Sequence, residues 1–338
     1  MSNRLRLVIG CSLLVSWVTL LEANSAARTS KASFSGKSGL SGENSHRTDS
    51  TAPSTEEAYQ RLLDCLRDGR LAEAVELGRD SALRWPDNAE IHHLLGLAYF
   101  KMQQDSLAVK ELRRAELLDD SSAAIHFDFA LVYLDQSQYG PASDELEQTT
   151  QLDPTLPTAH LLLGRAYQNS NRTIEAIEQF KTALRLNARV PLGHYHLGFA
   201  FASLGRNHEA IAEYEKEVAN DAENATALYQ LGHLLLQIGD WKSARPPLQK
   251  ATEISQQNAE AFYDLGKTFV LAGAAESAIS AFERCAQLNP ADPSPYYQLA
   301  RTLDKMGKHD SAQQEWQRFS DLTKAQPKTG GMASGQFQ

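Results

Sequence analysis

Small, large apolar and polar residues recur along this chain every 34 positions, with no shift of register from the first repeat to the last. Alanine marks one phase, at Ala74, Ala108, Ala142, Ala176, Ala210, Ala244, Ala278 and Ala312. With that phase numbered 20, repeats begin at Thr55, Ala89, Ala123, Pro157, Pro191, Ala225, Ala259 and Pro293. Apolar and small residues cluster at positions 4, 7, 8 and 11 and again at 20, 24 and 27. Both sets have the spacing of one helical face, so each repeat predicts two helices. Gly69, Gly205, Gly239, Gly273 and Gly307 at position 15 predict a left-handed turn between them. One such helix pair cannot bury its own apolar face, so neighbouring repeats must stack.

Other phases make the pattern specific. Position 8 is Gly96, Ala130, Gly164, Gly198, Gly232, Gly266 and Ala300 in the last seven repeats, and position 7 is Leu or Phe. Position 11 begins Tyr99, Tyr133, Tyr167, Phe201; position 24 includes Leu112, Phe180, Tyr214, Phe282 and Trp316. Pro86, Pro154 and Pro290 stand at position 32. This resembles the tetratricopeptide repeat family over residues 55 to about 326. The resemblance implies an all-α fold, a right-handed superhelical solenoid of eight 34-residue helix-turn-helix repeats. It also implies that the first helix of each repeat lines a concave, ligand-facing surface.

The ends read differently. Arg4 and Arg6 precede an apolar run from Leu7 to Leu21, followed by small residues to Ala27. That order is the pattern of a signal peptide over residues 1–27, and the run is shorter than the ~20 residues of a spanning helix. An uncleaved anchor or lipidation at Cys11 is the alternative. Residues 28–54 are Ser-rich and almost free of apolar side chains, which predicts a flexible linker, and 327–338 reads as a disordered tail. The chain is therefore expected to be exported, periplasmic or extracellular, with membrane contact only if the N-terminal segment is retained or lipidated.

On the implied concave face, position 5 carries Phe127, Tyr195, Tyr229, Tyr263 and Tyr297. Tyrosine supplies apolar area and a hydroxyl, which suits recognition of an extended peptide. Position 9 changes from Leu63, Leu97 and Leu131 to Arg165, Phe199, His233, Lys267 and Arg301. A basic C-terminal end of the groove in a chain of net charge −9 suggests capture of an acidic or carboxylate-bearing segment through Lys267 and Arg301. Asparagines that form the family's carboxylate clamp at position 9 have no counterpart here. An acidic chain without a basic run excludes nucleic acid as the main partner.

His92, His126, His160 and His194 all stand at position 4. Equivalent positions in stacked repeats lie about 10 Å apart, whereas zinc holds nitrogen ligands at about 2.0–2.1 Å. These four cannot share one ion, and a packing role and no metal are expected. Glu217 stands at a helix-interface phase, where a carboxylate is costly unless paired. No phosphate loop, nucleophile elbow or cofactor motif interrupts the repeats, so neither catalysis nor a cofactor is expected. The function predicted is a non-enzymatic interaction scaffold binding a peptide or helix in the groove. The alternative is a membrane-tethered assembly factor for an envelope or pilus complex.

Overall fold

The computed structural model describes residues 53–325, and sixteen helices account for nearly all of them. The signal peptide expected over 1–27, the linker expected over 28–54 up to residue 52, and the tail expected from 327 lie outside the described residues; Ser54, at the expected linker's end, caps the first helix. No described helix is long and apolar enough to cross a membrane.

The helices fall into two compact units divided after Leu186. The first contains α1 (Thr55–Arg67), α2 (Leu71–Arg84), α3 (Ala89–Lys101), α4 (Asp105–Leu118), α5 (Ala123–Asp135), α6 (Tyr139–Leu152), α7 (Pro157–Asn169) and α8 (Thr173–Leu186). Each helix packs on the next, and α1 also meets α3 as α3 meets α5. The second contains α9 (Gly193–Ser203), α10 (Asn207–Asn220), α11 (Ala225–Gln237), α12 (Trp241–Ile254), α13 (Ala259–Leu271), α14 (Ala275–Leu288), α15 (Ser294–Lys305) and α16 (His309–Ala325). It repeats the arrangement, with α11 also meeting α13. This is an all-α helical-repeat solenoid.

The packing follows the phases. All eight position-20 alanines are fully buried. In the five repeats with glycine at position 8, the position-24 side chain of the second helix fills the niche that glycine leaves in the first. A Cβ added to Gly266 would stand 2.5 Å from Phe282 Cε1. The position-15 turn is left-handed in every repeat, including Gln103, Ser137 and Asn171, which have φ of 62°, 58° and 60°. Behind it the next backbone N–H reaches five residues back, as in Gln104 to Tyr99 and Asp240 to Leu235. That bond closes the carbonyls of the first helix.

Two local features depart from the regular pattern. Helix α9 starts at Gly193 rather than at Pro191, with Leu192 left-handed at φ 61°. Val190 occupies the phase where Asn88, Asn224 and Asn258 cap other helices, and its side chain is buried instead. The N-cap residue of α9 therefore offers no side-chain acceptor to its first turn. Helix α12 runs unbroken through Pro246 and Pro247, although each removes a backbone donor.

Candidate functional site

The position-5 aromatics divide into two groups. Phe127 is fully buried. Its predicted place on a ligand-facing surface is thus corrected: α5 is apolar nearly all round, and Ile125, Phe127 and Phe129 are all enclosed. Tyr195, Tyr229, Tyr263 and Tyr297 are half-buried. Three of their rings lean on the second helix of their own repeat: Tyr195 on Tyr214 (5.9 Å), Tyr263 on Phe282 (5.7 Å) and Tyr297 on Trp316 (5.4 Å). Burial raises the hydroxyl pKa of Tyr195, Tyr229 and Tyr263, so these groups stay protonated donors at neutral pH.

The cations at position 9 are not equivalent. Lys267 donates to buried Asp264 at 3.3 Å and stands 5.6 Å from the Tyr263 ring. Arg301 is exposed, lies 5.4 Å over the Tyr297 ring and donates to its hydroxyl at 3.4 Å. His233 Nδ1 lies 2.6 Å from Asp264 Oδ2, and its Nε2 lies 2.8 Å from Gln237. His233 is therefore committed to a clasp between α11 and α13. Arg165, on α7, differs from all three. It is half-buried, and its guanidinium makes no hydrogen bond or ion pair to any described residue. Burial lowers its pKa.

The histidine column is a set of polar clasps rather than plain packing. His92, His126 and His194 place Nδ1 2.7, 2.7 and 2.6 Å from Glu111, Glu145 and Glu213. His160 places it 2.8 Å from Gln179. Each partner is 19 residues further on, at position 23 of the second helix. Nε2 of His92, His126 and His160 faces the carbonyl of Pro86, Asp120 and Pro154 at 3.1, 3.0 and 3.1 Å. A signal for this was present in the sequence. Repeats with Leu228 or Phe262 at position 4 carry Pro247 or Ala281 at position 23. A separate clasp joins His93 Nε2 to buried Asp128 at 2.7 Å, linking α3 and α5.

Glu217 is buried, and its carboxylate accepts the Tyr195 backbone N–H at 3.2 Å and the Asn224 amide at 3.4 Å. It supplies the acceptor that the start of α9 lacks, while burial raises its pKa.

Sequence profiles described as tetratricopeptide repeat match residues 89–121, 161–225, 229–293 and 269–323. The chain belongs to the tetratricopeptide repeat family. A protein from Cytophaga hutchinsonii, the C-terminal part of a TPR repeat-containing protein, is 16% identical with a TM-score of 0.60. The match covers 71% of this chain and 99% of that one. A tetratricopeptide repeat protein from Parabacteroides merdae is also 16% identical, with a TM-score of 0.52 over 74% of this chain and 98% of that one. YrrB, described as a TPR protein with an unusual peptide-binding site, is 21% identical with a TM-score of 0.50 over 56% and 97%. No curated protein matches the sequence.

Proposed function

We propose that this chain is a non-enzymatic scaffold that captures an acidic peptide segment on its first-helix faces, anchored in the N-terminal unit by Arg165. The family assignment supports a protein-interaction scaffold. The observation that carries the finer reading is the half-buried Arg165 guanidinium with no acceptor. A cation held away from water without a partner is costly. A carboxylate arriving from a ligand recovers that cost through charge-assisted, bidentate hydrogen bonds.

Arg165 is the anchor in the N-terminal unit, and the position-9 cations of the C-terminal unit are weaker candidates there. Lys267 already serves Asp264, and Arg301 is solvated. In the C-terminal unit Tyr195, Tyr229, Tyr263 and Tyr297 offer rigid, half-buried rings with donor hydroxyls, suited to an extended main chain. A peptide-binding site described for YrrB, a protein of the same fold, is consistent with this use. Export of the scaffold rests on the basic, apolar, small order of residues 4–27.

Selection of displayed random peptides against the full-length chain tests the reading. Enrichment of Asp- or Glu-containing peptides, lost with Arg165→Glu, is the expected result. Peptides without acidic residues, or retention by the variant, would overturn it.

A further inference from the structure

Glu116, His126 and Glu145 bring one histidine nitrogen and two carboxylates within 4.8 Å of one another. They come from three successive helices of the N-terminal unit, α4, α5 and α6. The side chain of His126 is 5% exposed and that of Glu145 14%, while Glu116 is half-exposed. The cluster is thus enclosed on one side and open to solvent on the other.

The tautomer is set by the backbone. His126 Nε2 lies 3.0 Å from the Asp120 carbonyl oxygen, an atom that can only accept. Nε2 therefore carries the proton. In the neutral ring, Nδ1 then presents its lone pair toward Glu145 Oε2, 2.7 Å away. A lone pair and a carboxylate cannot face each other without a cation between them: a second proton at this distance, or a metal ion once the two atoms open to the wider spacing of metal ligands. A ring N–H given to a backbone carbonyl while the other nitrogen faces carboxylates is the arrangement that orients a metal-ligating histidine.

Sister clasps in the same chain show what is special here. His92 and His194 have the same position-23 glutamate, Glu111 and Glu213. At the position Glu116 holds in the preceding repeat, however, they have Ala82 and Leu184. At His126 a second carboxylate is added, and Glu116 makes no hydrogen bond or ion pair with a described residue. Arg113, on the same helix, donates its guanidinium to the Tyr133 hydroxyl at 3.1 Å.

We propose that Glu116, His126 and Glu145 bind one divalent cation of the zinc class, through His126 Nδ1 and one oxygen of each carboxylate. One imidazole and two carboxylates suit such a borderline ion, and three protein ligands leave a coordination position open. Ligand atoms 2.0–2.1 Å from a tetrahedral ion lie roughly 3.3 Å apart. Glu145 must therefore open slightly and Glu116 swing inward, and Glu116 is half-exposed and makes no hydrogen bond with a described residue. The ion would tie the second repeat to the third. The proposal reverses the expectation of no metal. That expectation compared histidines only with one another, whereas the added ligand comes from the preceding repeat.

The test uses tag-free, full-length protein freed of metal by chelation, with Zn2+ or Co2+ alone as probe. Zn2+ raises the thermal unfolding midpoint, and Co2+ gives a visible absorption band. Glu116→Ala, which copies Ala82, lowers the affinity for either ion at least tenfold while the protein remains helical; Glu116→Gln is the second variant should the first not fold. Glu111→Gln, at the sister clasp, leaves the response unchanged. No Co2+ band and no Zn2+ shift in the unaltered protein would overturn the site. So would a response that both Glu116 variants retain.

Discussion

Gly164 lies against the ring of Phe180 so closely that a Cβ at residue 164 would stand 2.5 Å from Phe180 Cε1 and 2.7 Å from Cδ1. Phe180 is fully buried. Gly164→Ala should therefore destabilise the protein by about 1–3 kcal/mol, despite alanine's better helix propensity. At Gly198 the corresponding contact, with Tyr214, is 3.0 Å, and the same substitution should cost less. Urea-unfolding midpoints of the two variants, compared with the unaltered protein, check the order.

Gln103, with φ of 62°, takes the left-handed turn that glycine takes in five other repeats. A side chain in this conformation costs roughly 1–2 kcal/mol. Gln103→Gly should stabilise the protein, by about 1 kcal/mol after the entropy that glycine adds to the unfolded chain is subtracted. Gly205→Ala should do the reverse. A thermal midpoint that falls for Gln103→Gly would remove the strain argument.

The pKa of His126 is raised, first by its hydrogen bond to Glu145 and further by the Asp120 carbonyl. In metal-free protein the stabilisation from this charged clasp is fully present below the unfolded histidine value of about 6.5. It is lost as pH rises through the higher folded value. Glu145→Gln should flatten the decline in unfolding midpoint from about pH 6.5 upward. Chelator-treated protein followed by circular dichroism across that range provides the measurement. An unchanged slope would mean that the clasp does not titrate there.

Glu217 also has a raised pKa, and burial is the largest cause. Its proton-linked contribution is present below the unfolded value of about 4.5 and is lost as pH rises through the folded value. Burial disfavours the ionised carboxylate, and the Tyr195 N–H and Asn224 offset that only in part. Glu217→Gln keeps an acceptor for Tyr195 and should match or exceed the parent in stability at pH 7. Glu217→Ala leaves that buried N–H unpaired and should cost about 1–2 kcal/mol. Equal losses in the two variants would show that the charge, not the cap, matters.

The solenoid was legible because its requirements repeat. Ala74 and its seven counterparts, Gly164 opposite Phe180 and Gly205 in its turn each recur at one phase, and each has a steric reason. Polar partnerships were less legible because they join different phases. The link between His126 and Glu145 spans 19 positions, and Glu116 enters from the preceding repeat, so a search within one column passes over both. Phe127 shows a different limit. On a helix apolar all round, periodicity cannot tell which side meets a ligand. Lys267 and Arg165 look alike as position-9 cations, and only the neighbouring Asp264 separates the engaged one from the free one.

On the proposed function, Arg165 receives a ligand carboxylate. A double charge reversal measured by calorimetry tests it most directly. An acidic peptide selected on the unaltered chain is titrated into that chain and into Arg165→Glu, each with the native peptide and with its anchoring acid changed to Lys. Each single change should weaken binding roughly tenfold or more, and the two together should restore much of the loss. Losses that simply add, or a peptide indifferent to Arg165→Glu, would remove Arg165 as the anchor.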